Sequence, residues 1–146
     1  MMSQHFSHLL RVRYSECDAQ KVVFNAKYAE YADIAITEYM RAIWGGYDKL
    51  LARGLDSQVV DLHIKWQGPA LFDDVLDIQV HTIKIGNTSY TLQADFYNQA
   101  SGKALASATL TNVMVTLEGH KKISIPDDLR ITLEKGAPGV VANHAG

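Results

Sequence analysis

The sequence has little cysteine, little proline and no long apolar run. Its 146 residues include three prolines and one cysteine, Cys17. Because there is only one cysteine, an intramolecular disulfide and a metal cluster of thiolates are both excluded, and a reducing compartment is favoured. No apolar run approaches the roughly 18 residues that suggest a membrane span. The N-terminal segment also lacks the basic and apolar regions of a signal peptide. We therefore expect a cytoplasmic protein without a membrane span.

Neither sign of charge is in large excess. Fourteen Lys and Arg residues against sixteen Asp and Glu residues give a formal net charge of −2, so the chain as a whole has no basic footprint for nucleic acid. The composition, with 47% hydrophobic and 21% charged residues, is typical of a globular domain. We expect residues 1–135 to form one domain. Residues 136–146 have little to bury and are predicted to be a mobile tail.

The common catalytic and metal-binding motifs are also absent. The sequence contains no G-x-S-x-G elbow, no G-x-x-x-x-G-K-[ST] phosphate loop, no H-E-x-x-H and no C-x-x-C. Its six histidines are scattered, without metal-ligand neighbours at helical spacing. We expect neither a metal nor a cofactor, and a functional site must be sought around single ionisable residues.

Two hydrophobic periods divide the chain. Apolar residues at helical spacing within residues 26–46 predict a helix of about 17 residues. From residue 57 the period changes to two, which predicts four antiparallel strands, and residues 7–14 predict one more. The run 103–118 exceeds the usual strand length, so a bend or bulge is expected in it. The sum is an α+β protein in which an antiparallel sheet of about five strands curls around one long central helix.

Small residues on the predicted helix fit this arrangement. Ala29, Ala32 and Ala35 allow another backbone to approach closely. A curled sheet with a single helix leaves its outer face and its edges open, so we expect a homo-oligomer, a dimer or tetramer that joins its sheets. The apolar residues expected to face outward are Val59, Val75, Ile83, Val113 and Val115.

Asp18, in the stretch ECDAQKVVFNAKY, lies between the first strand and the long helix. The first N–H groups of a helix lack intrahelical partners and carry the positive end of its dipole. Two roles are open: Asp18 caps a turn or the helix start, or it attacks, or activates water against, an acyl carbonyl that these N–H groups polarise. Its neighbour Cys17 is expected to face the other way as an inert, buried thiol. Asn25 can cap the helix with its side chain while its backbone N–H points at a carbonyl.

Two longer stretches resemble a known family. VRYSECDAQKVVFNAKYAEYADIA resembles the N-terminal motif of the hot-dog-fold acyl-CoA thioesterases of the 4-hydroxybenzoyl-CoA thioesterase class, and IKWQGPALFDDVLDIQVHTIKIGNTSYTL is similar to a later segment. The resemblance implies hydrolysis of an acyl-CoA to a carboxylic acid and free CoA, without metal or cofactor, at a dimer interface. It makes Asp18 the catalytic carboxylate and the Asn25 N–H the group that polarises the thioester carbonyl. Lys21 stands where the family usually has glycine, at a cost of about 1–2 kcal/mol if its φ is positive.

The substrate contacts predicted with this reading lie on both sides of Asn25 and on the strands. Val23 and Phe24 form the apolar segment before the helix, and Tyr28 is either a core residue or a substrate contact. The basic residues considered for the CoA phosphates are Lys65, Lys84 and Arg53.

Two other functions remain open at this point. The protein can be a module that binds an acyl-CoA or an acyl carrier without hydrolysing it. It can also be a hot-dog dehydratase, although the sequence shows no Asp and His pair at the spacing that those enzymes use.

Overall fold

A computed structural model describes residues 5–146. Within this part of the chain no helix has the length and apolar character needed to cross a membrane. The long helix α1 has eighteen residues and ends at Gly45, whose φ of 84° is left-handed. The elements follow in the order β1 (Phe6–Arg11), a 3₁₀ turn (Tyr14–Glu16), α1 (Lys27–Trp44), α2 (Tyr47–Ala52), β2 (Leu55–Trp66), β3 (Val75–Ile85), β4 (Ser89–Asn98), β5 (Ala104–Thr116), α3 (Asp127–Lys135) and β6 (Val141–His144).

The six strands form one sheet in the order β2-β5-β4-β3-β1-β6. Neighbouring strands are antiparallel, except that β1 and β6 run parallel. The predicted α+β class is confirmed, and the arrangement is the hot-dog fold that the resemblance implies. The sheet nevertheless has one strand more than expected, and that strand makes it mixed rather than antiparallel.

Helix α1 packs on the inner face of the sheet. Ala32 and Ala35 are completely buried, so their small side chains let the strands approach the helix closely. The hydroxyl of Tyr39 is paired with Thr82 Oγ1 at 2.8 Å, which satisfies the one polar atom of this buried ring. Each large apolar side chain buried here contributes about 1.5–3 kcal/mol, so the position of α1 on the sheet is well fixed. The facing residues of β3 and β4 are Leu76, Ile78, Val80, Leu92, Ala94 and Phe96, all completely buried.

Three bulges curve the sheet. On β5, Leu105 is the extra residue, because Phe96 pairs with Ala106 and Tyr97 with Ala104. The bulge predicted for this long strand is thus confirmed. Similar register shifts leave one extra residue on β2 and one on β3. Since a bulge bends its strand and increases the local twist, the three together help the sheet to wrap around the helix.

The C-terminal part corrects one expectation. Residues 136–146 were expected to form a tail with little to bury, but Val141–His144 form β6 and Ala142 packs against the core. The physical reason is that β1 would otherwise be an open edge, and four extended residues pair with its backbone groups. Helix α3, which precedes this strand, has nine residues, and Pro126 occupies the N-cap position before it.

The opposite edge of the sheet is β2, which pairs only with β5. This strand is twelve residues long, and no other strand of the described chain covers its outer side. Its exposed apolar residues are Val59, Val60, Leu62 and Trp66.

Two of the outward-facing valines predicted above are buried. The chain after β5 turns back over the end of this strand, where the Thr116 N–H donates to the Lys121 carbonyl at 2.8 Å and Val115 pairs with Lys122. This return segment shields Val115, and Val113 is buried as well. Val59 and Ile83 are exposed as expected, so the exposed apolar surface is concentrated on β2 rather than spread over the sheet.

Candidate active site

Asp18 lies at the tip of a short hairpin that joins β1 to α1. Cys17 pairs with Val23, the Asp18 N–H donates to the Val22 carbonyl at 2.9 Å, and the Lys21 N–H donates to the Asp18 carbonyl at 2.9 Å. This pattern is a turn closed by a residue in the left-handed conformation, and Lys21 has a φ of 67°. The position that usually holds glycine in the family that the sequence resembles therefore has a positive φ here, and Lys21 carries the strain that glycine would avoid.

One carboxylate oxygen of Asp18 accepts a hydrogen bond, and the other does not. Oδ1 accepts a hydrogen bond from the Gln20 N–H at 2.8 Å, which stabilises the turn. Within the described residues, Oδ2 accepts no hydrogen bond from the protein. Turn capping and catalysis are thus compatible roles, because Oδ1 fixes the orientation of the group while Oδ2 stays free.

The Asp18 side chain is half-buried and lines a cleft of about 300 Å³. Cys17 was expected to be buried and to face away from Asp18, but it is half-buried and lines the same cleft. The alternation of an extended strand breaks down here because the two residues enter a tight turn. The other lining residues, which sequence patterns did not single out as a site, are Tyr14, Lys21 and Phe72.

The start of α1 offers two unused N–H groups. The Lys27 N–H donates to the Phe24 carbonyl at 2.9 Å, whereas the N–H groups of Asn25 and Ala26 donate to no acceptor within residues 5–146. The side chain of Asn25 does not cap the helix, because Ala26 is the N-cap residue and no side-chain capping bond forms. The capping expectation was therefore wrong. The free N–H of Asn25 at the positive end of the helix dipole fits the other predicted role, polarising a carbonyl.

The hairpin sets the spacing between these groups. Asp18 is at its tip, the Phe24 N–H donates to the Glu16 carbonyl at 2.9 Å nearer its base, and Asn25 comes next. The Asp18 carboxylate and the Asn25 N–H are therefore carried by the two arms of one short hairpin, although Asn25 is not among the residues that line the Asp18 cleft.

Glu16 ties this hairpin to α1. Its Oε1 accepts hydrogen bonds from the Tyr31 hydroxyl at 2.9 Å and from the Arg13 N–H at 2.7 Å. Burial, and then the hydrogen bond to Glu16, raises the pKa of Tyr31 well above its usual range, so the phenol remains a donor. Sequence analysis missed this pair because residues fifteen positions apart in different elements leave no local pattern.

The apolar residues predicted as contacts take different positions. Phe24 is 46% exposed beside the helix start, whereas Val23 is buried and its N–H donates to the Ala70 carbonyl at 2.9 Å. Tyr28 is also buried, with its ring 5.4 Å from that of Phe96. Of the two roles left open for Tyr28, its burial favours the core.

The predicted basic residues are not brought together. Lys65 on β2 and Lys84 on β3 are exposed, and β5 and β4 lie between their strands, a separation of at least about 14 Å. Arg53 is bound by Asp128 through contacts of 2.7 and 3.1 Å. Within residues 5–146, no three His, Cys, Asp or Glu side chains are grouped so as to hold a metal ion.

A six-stranded curved sheet wrapped on one long helix, with a carboxylate in the turn just before that helix, defines the chain as a hot-dog protein. The sequence model of the family described as "Thioesterase-like superfamily" matches residues 12–133. The chain therefore belongs to this superfamily.

Named relatives share most of this length. The "Acyl-CoA thioester hydrolase YbgC" of Escherichia coli O6:H1 is 31% identical over 120 residues, which cover 82% of this chain and 89% of the relative. The "Long-chain acyl-CoA thioesterase FadM" of Escherichia coli K12 is 25% identical over 132 residues, 86% of this chain and 95% of FadM.

Solved structures share the fold. A thioesterase superfamily protein from Jannaschia superimposes with a TM-score of 0.84 at 23% identity, covering 92% of this chain and 94% of that one. A 1,4-dihydroxy-2-naphthoyl-CoA thioesterase from Synechocystis does so with a TM-score of 0.79 at 17% identity, covering 88% and 94%.

Proposed function

We propose that this protein hydrolyses an acyl-CoA to a carboxylic acid and free CoA, with Asp18 as nucleophile or general base and the Asn25 N–H as the group that polarises the thioester carbonyl. The observation that carries the proposal is that the same short segment, residues 18–26, presents a carboxylate oxygen, Oδ2 of Asp18, and two helix-start N–H groups, those of Asn25 and Ala26, none of which has a hydrogen-bond partner within residues 5–146. Support for the substrate class comes from the relative that is 31% identical and named an acyl-CoA thioester hydrolase.

The reaction follows from where charge develops. When the thioester carbon is attacked, negative charge accumulates on its oxygen, and the N–H groups of Asn25 and Ala26 stabilise that charge without reorganising. Asp18 either attacks the carbon, forming an anhydride that water then hydrolyses, or removes a proton from an attacking water. In both routes the C–S bond breaks and the CoA sulfur leaves as a thiolate that takes up a proton.

The other residues predicted to contact the substrate have different roles in the proposal. Phe24 is the proposed acyl contact, because its exposed ring adjoins Asn25. Val23 and Tyr28 are both buried, so their proposed role is to support the wall of the acyl site rather than to contact the substrate. Lys65 and Lys84 form no ion pair within the described chain, yet their strands are too far apart for both to hold the phosphates next to each other. At most one of them can contribute to that subsite from a single chain.

The proposal includes a homo-oligomer. A second copy that pairs with the outer side of β2 would use its open backbone groups and bury its exposed apolar residues. In such a dimer the active site lies at the interface, and pairs of dimers complete a tetramer. A cytoplasmic location is also proposed, since the one cysteine is a free thiol, the state that a reducing compartment maintains.

Thiol release from aromatic, short-chain and long-chain acyl-CoAs tests the proposal. Asp18→Asn should lower kcat by about 10²–10⁴-fold, while its side-chain oxygen still accepts the Gln20 hydrogen bond and preserves the turn. The matched control is Asp48→Asn, an exposed carboxylate on α2, which should keep the wild-type rate. Equal rates for wild type and Asp18→Asn would remove Asp18 from the mechanism.

The same panel separates the other two functions. Acyl-CoA binding without thiol release by the wild type would support the binding module. Water addition to an enoyl-CoA would support the dehydratase.

A further inference from the structure

A second cleft adjoins the Asp18 cleft. It has a volume of about 480 Å³ and lies between β1, β6 and the N-terminal half of α1. The two clefts share Tyr14 and Phe72 as lining residues. These rings stand edge to face with centroids 5.9 Å apart, and they are 80% and 55% exposed. A ligand that starts in one cleft can therefore continue past this aromatic pair into the other.

One cation in this second cleft has no ionic partner. Arg11 lies 3.4 Å from Asp73, and the Glu16 carboxylate, which also lines the cleft, forms no ion pair with Arg13 within the described residues. The guanidinium of Arg13 forms no ion pair in the part of the chain that the structure describes. Because a guanidinium binds phosphate with two parallel hydrogen bonds, Arg13 is suited to such a group.

The floor of the cleft is polar as well. His8 on β1 is completely buried, and neither of its ring nitrogens makes a hydrogen bond in residues 5–146. Burial, and then the neighbouring His144, lowers the pKa of His8, so the imidazole is neutral, with one donor and one acceptor nitrogen. The backbone of Ala142 lies close to His8 and raises its pKa slightly, but it does not have the geometry of a hydrogen bond to either nitrogen.

These features distinguish between ligands. A hydrocarbon chain in this cleft would take water away from Arg13 without replacing its hydrogen bonds. A ligand with an aromatic base and phosphates matches the two accessible features, the exposed rings and the free guanidinium. Stacking of bases on aromatic side chains is a general mode of nucleotide recognition, and the volume lies within the range of small-molecule sites.

We propose that this second cleft binds the nucleotide end of CoA, with a phosphate on Arg13 and the adenine ring against Tyr14 and Phe72. The inference rests on the proposed function, since the thioester would then occupy the adjoining Asp18 cleft. It assigns the phosphate contact to the segment just before Asp18 rather than to Lys65 or Lys84.

Kinetics with two forms of one substrate test the assignment. The acyl-CoA carries the nucleotide, and the corresponding acyl-pantetheine lacks it. Arg13→Gln should raise KM for the acyl-CoA about tenfold with kcat unchanged, as expected for a lost charged hydrogen bond that acts equally in ground and transition states. KM for the acyl-pantetheine should stay at the wild-type value, and the control Lys103→Gln, in the β4–β5 turn, should alter neither. Equal effects on both substrates, or no effect on either, would overturn the nucleotide site.

A binding measurement keeps this inference separate from catalysis. In calorimetry, adenosine 3′,5′-bisphosphate should bind the wild type, and Arg13→Gln should weaken that binding about tenfold. Absence of binding to the wild type refutes the nucleotide site even if the enzyme hydrolyses acyl-CoA. Binding that Arg13→Gln weakens supports the site even if no acyl-CoA is turned over, an outcome that would count only against the proposed hydrolysis.

Discussion

Lys21→Gly should stabilise the folded protein. Lys21 has a φ of 67°, and a side chain in this left-handed region costs about 1–2 kcal/mol, which glycine does not pay. Glycine loses more backbone entropy on folding, at a cost of about 0.5–1 kcal/mol. The difference is a gain of about 0.75 kcal/mol in the free energy of unfolding, which for a domain of this size raises Tm by about 2 °C.

Ala19→Gly is the matched control, because it introduces the same residue in the same turn at a position whose φ is not positive. It should lose about 0.5–1 kcal/mol, so the two variants should differ by about 1.5 kcal/mol with opposite signs. Urea titration followed by circular dichroism measures both free energies, and unchanged m values would show that the unfolded states are comparable. A Lys21→Gly protein no more stable than wild type would refute the claim that the turn is strained at this residue.

Three further outcomes follow from contacts described above. Tyr31→Phe removes the hydroxyl that donates to Glu16 at 2.9 Å, and should lower the free energy of unfolding by about 1.5 kcal/mol in urea titration. The pKa of His8 lies below 6.5 in the folded state, so the unfolded chain takes up its proton first. Stability should be full above about pH 6.5 and should fall as pH drops through the lowered pKa; His8→Leu should flatten this decline in unfolding curves. Val60→Lys on β2 should halve the molar mass in sedimentation velocity, because a charge on the open edge opposes pairing.

Each of these three predictions has its own control. Tyr14→Phe changes an exposed phenol that makes no hydrogen bond in the described chain, and a loss as large as that of Tyr31→Phe would argue against the Glu16 bond. Burial also lowers the pKa of His81, so part of the decline in acid should remain in His8→Leu. An unchanged decline would contradict the buried neutral state of His8. Lys122→Glu changes a charge away from β2, and dissociation by this variant would speak against edge pairing.

The periodic elements were predictable because their signals are local. The helix ending at Gly45 and the bulge in β5 each leave a pattern within one stretch of sequence. Strand β6 leaves none, since a four-residue strand is defined by the partner beside it rather than by its own composition. The position of the candidate site at Asp18 was predictable from the sequence. The contribution of Phe72 to its cleft was not, because that contribution depends on how the β2–β3 connection folds back.

Strand β6 also decides how far edge-to-edge association can extend. By covering β1 it leaves the sheet with one long edge, β2, and one short edge of four residues. If two copies join through β2 about a twofold axis, each long edge is used up by the other. The resulting twelve-stranded sheet ends at both sides in a short strand that is a poor template for another chain. In that proposed dimer, strand β6 would limit edge-to-edge assembly to a closed pair, because an uncovered β1 would leave a second long edge on which a filament could grow.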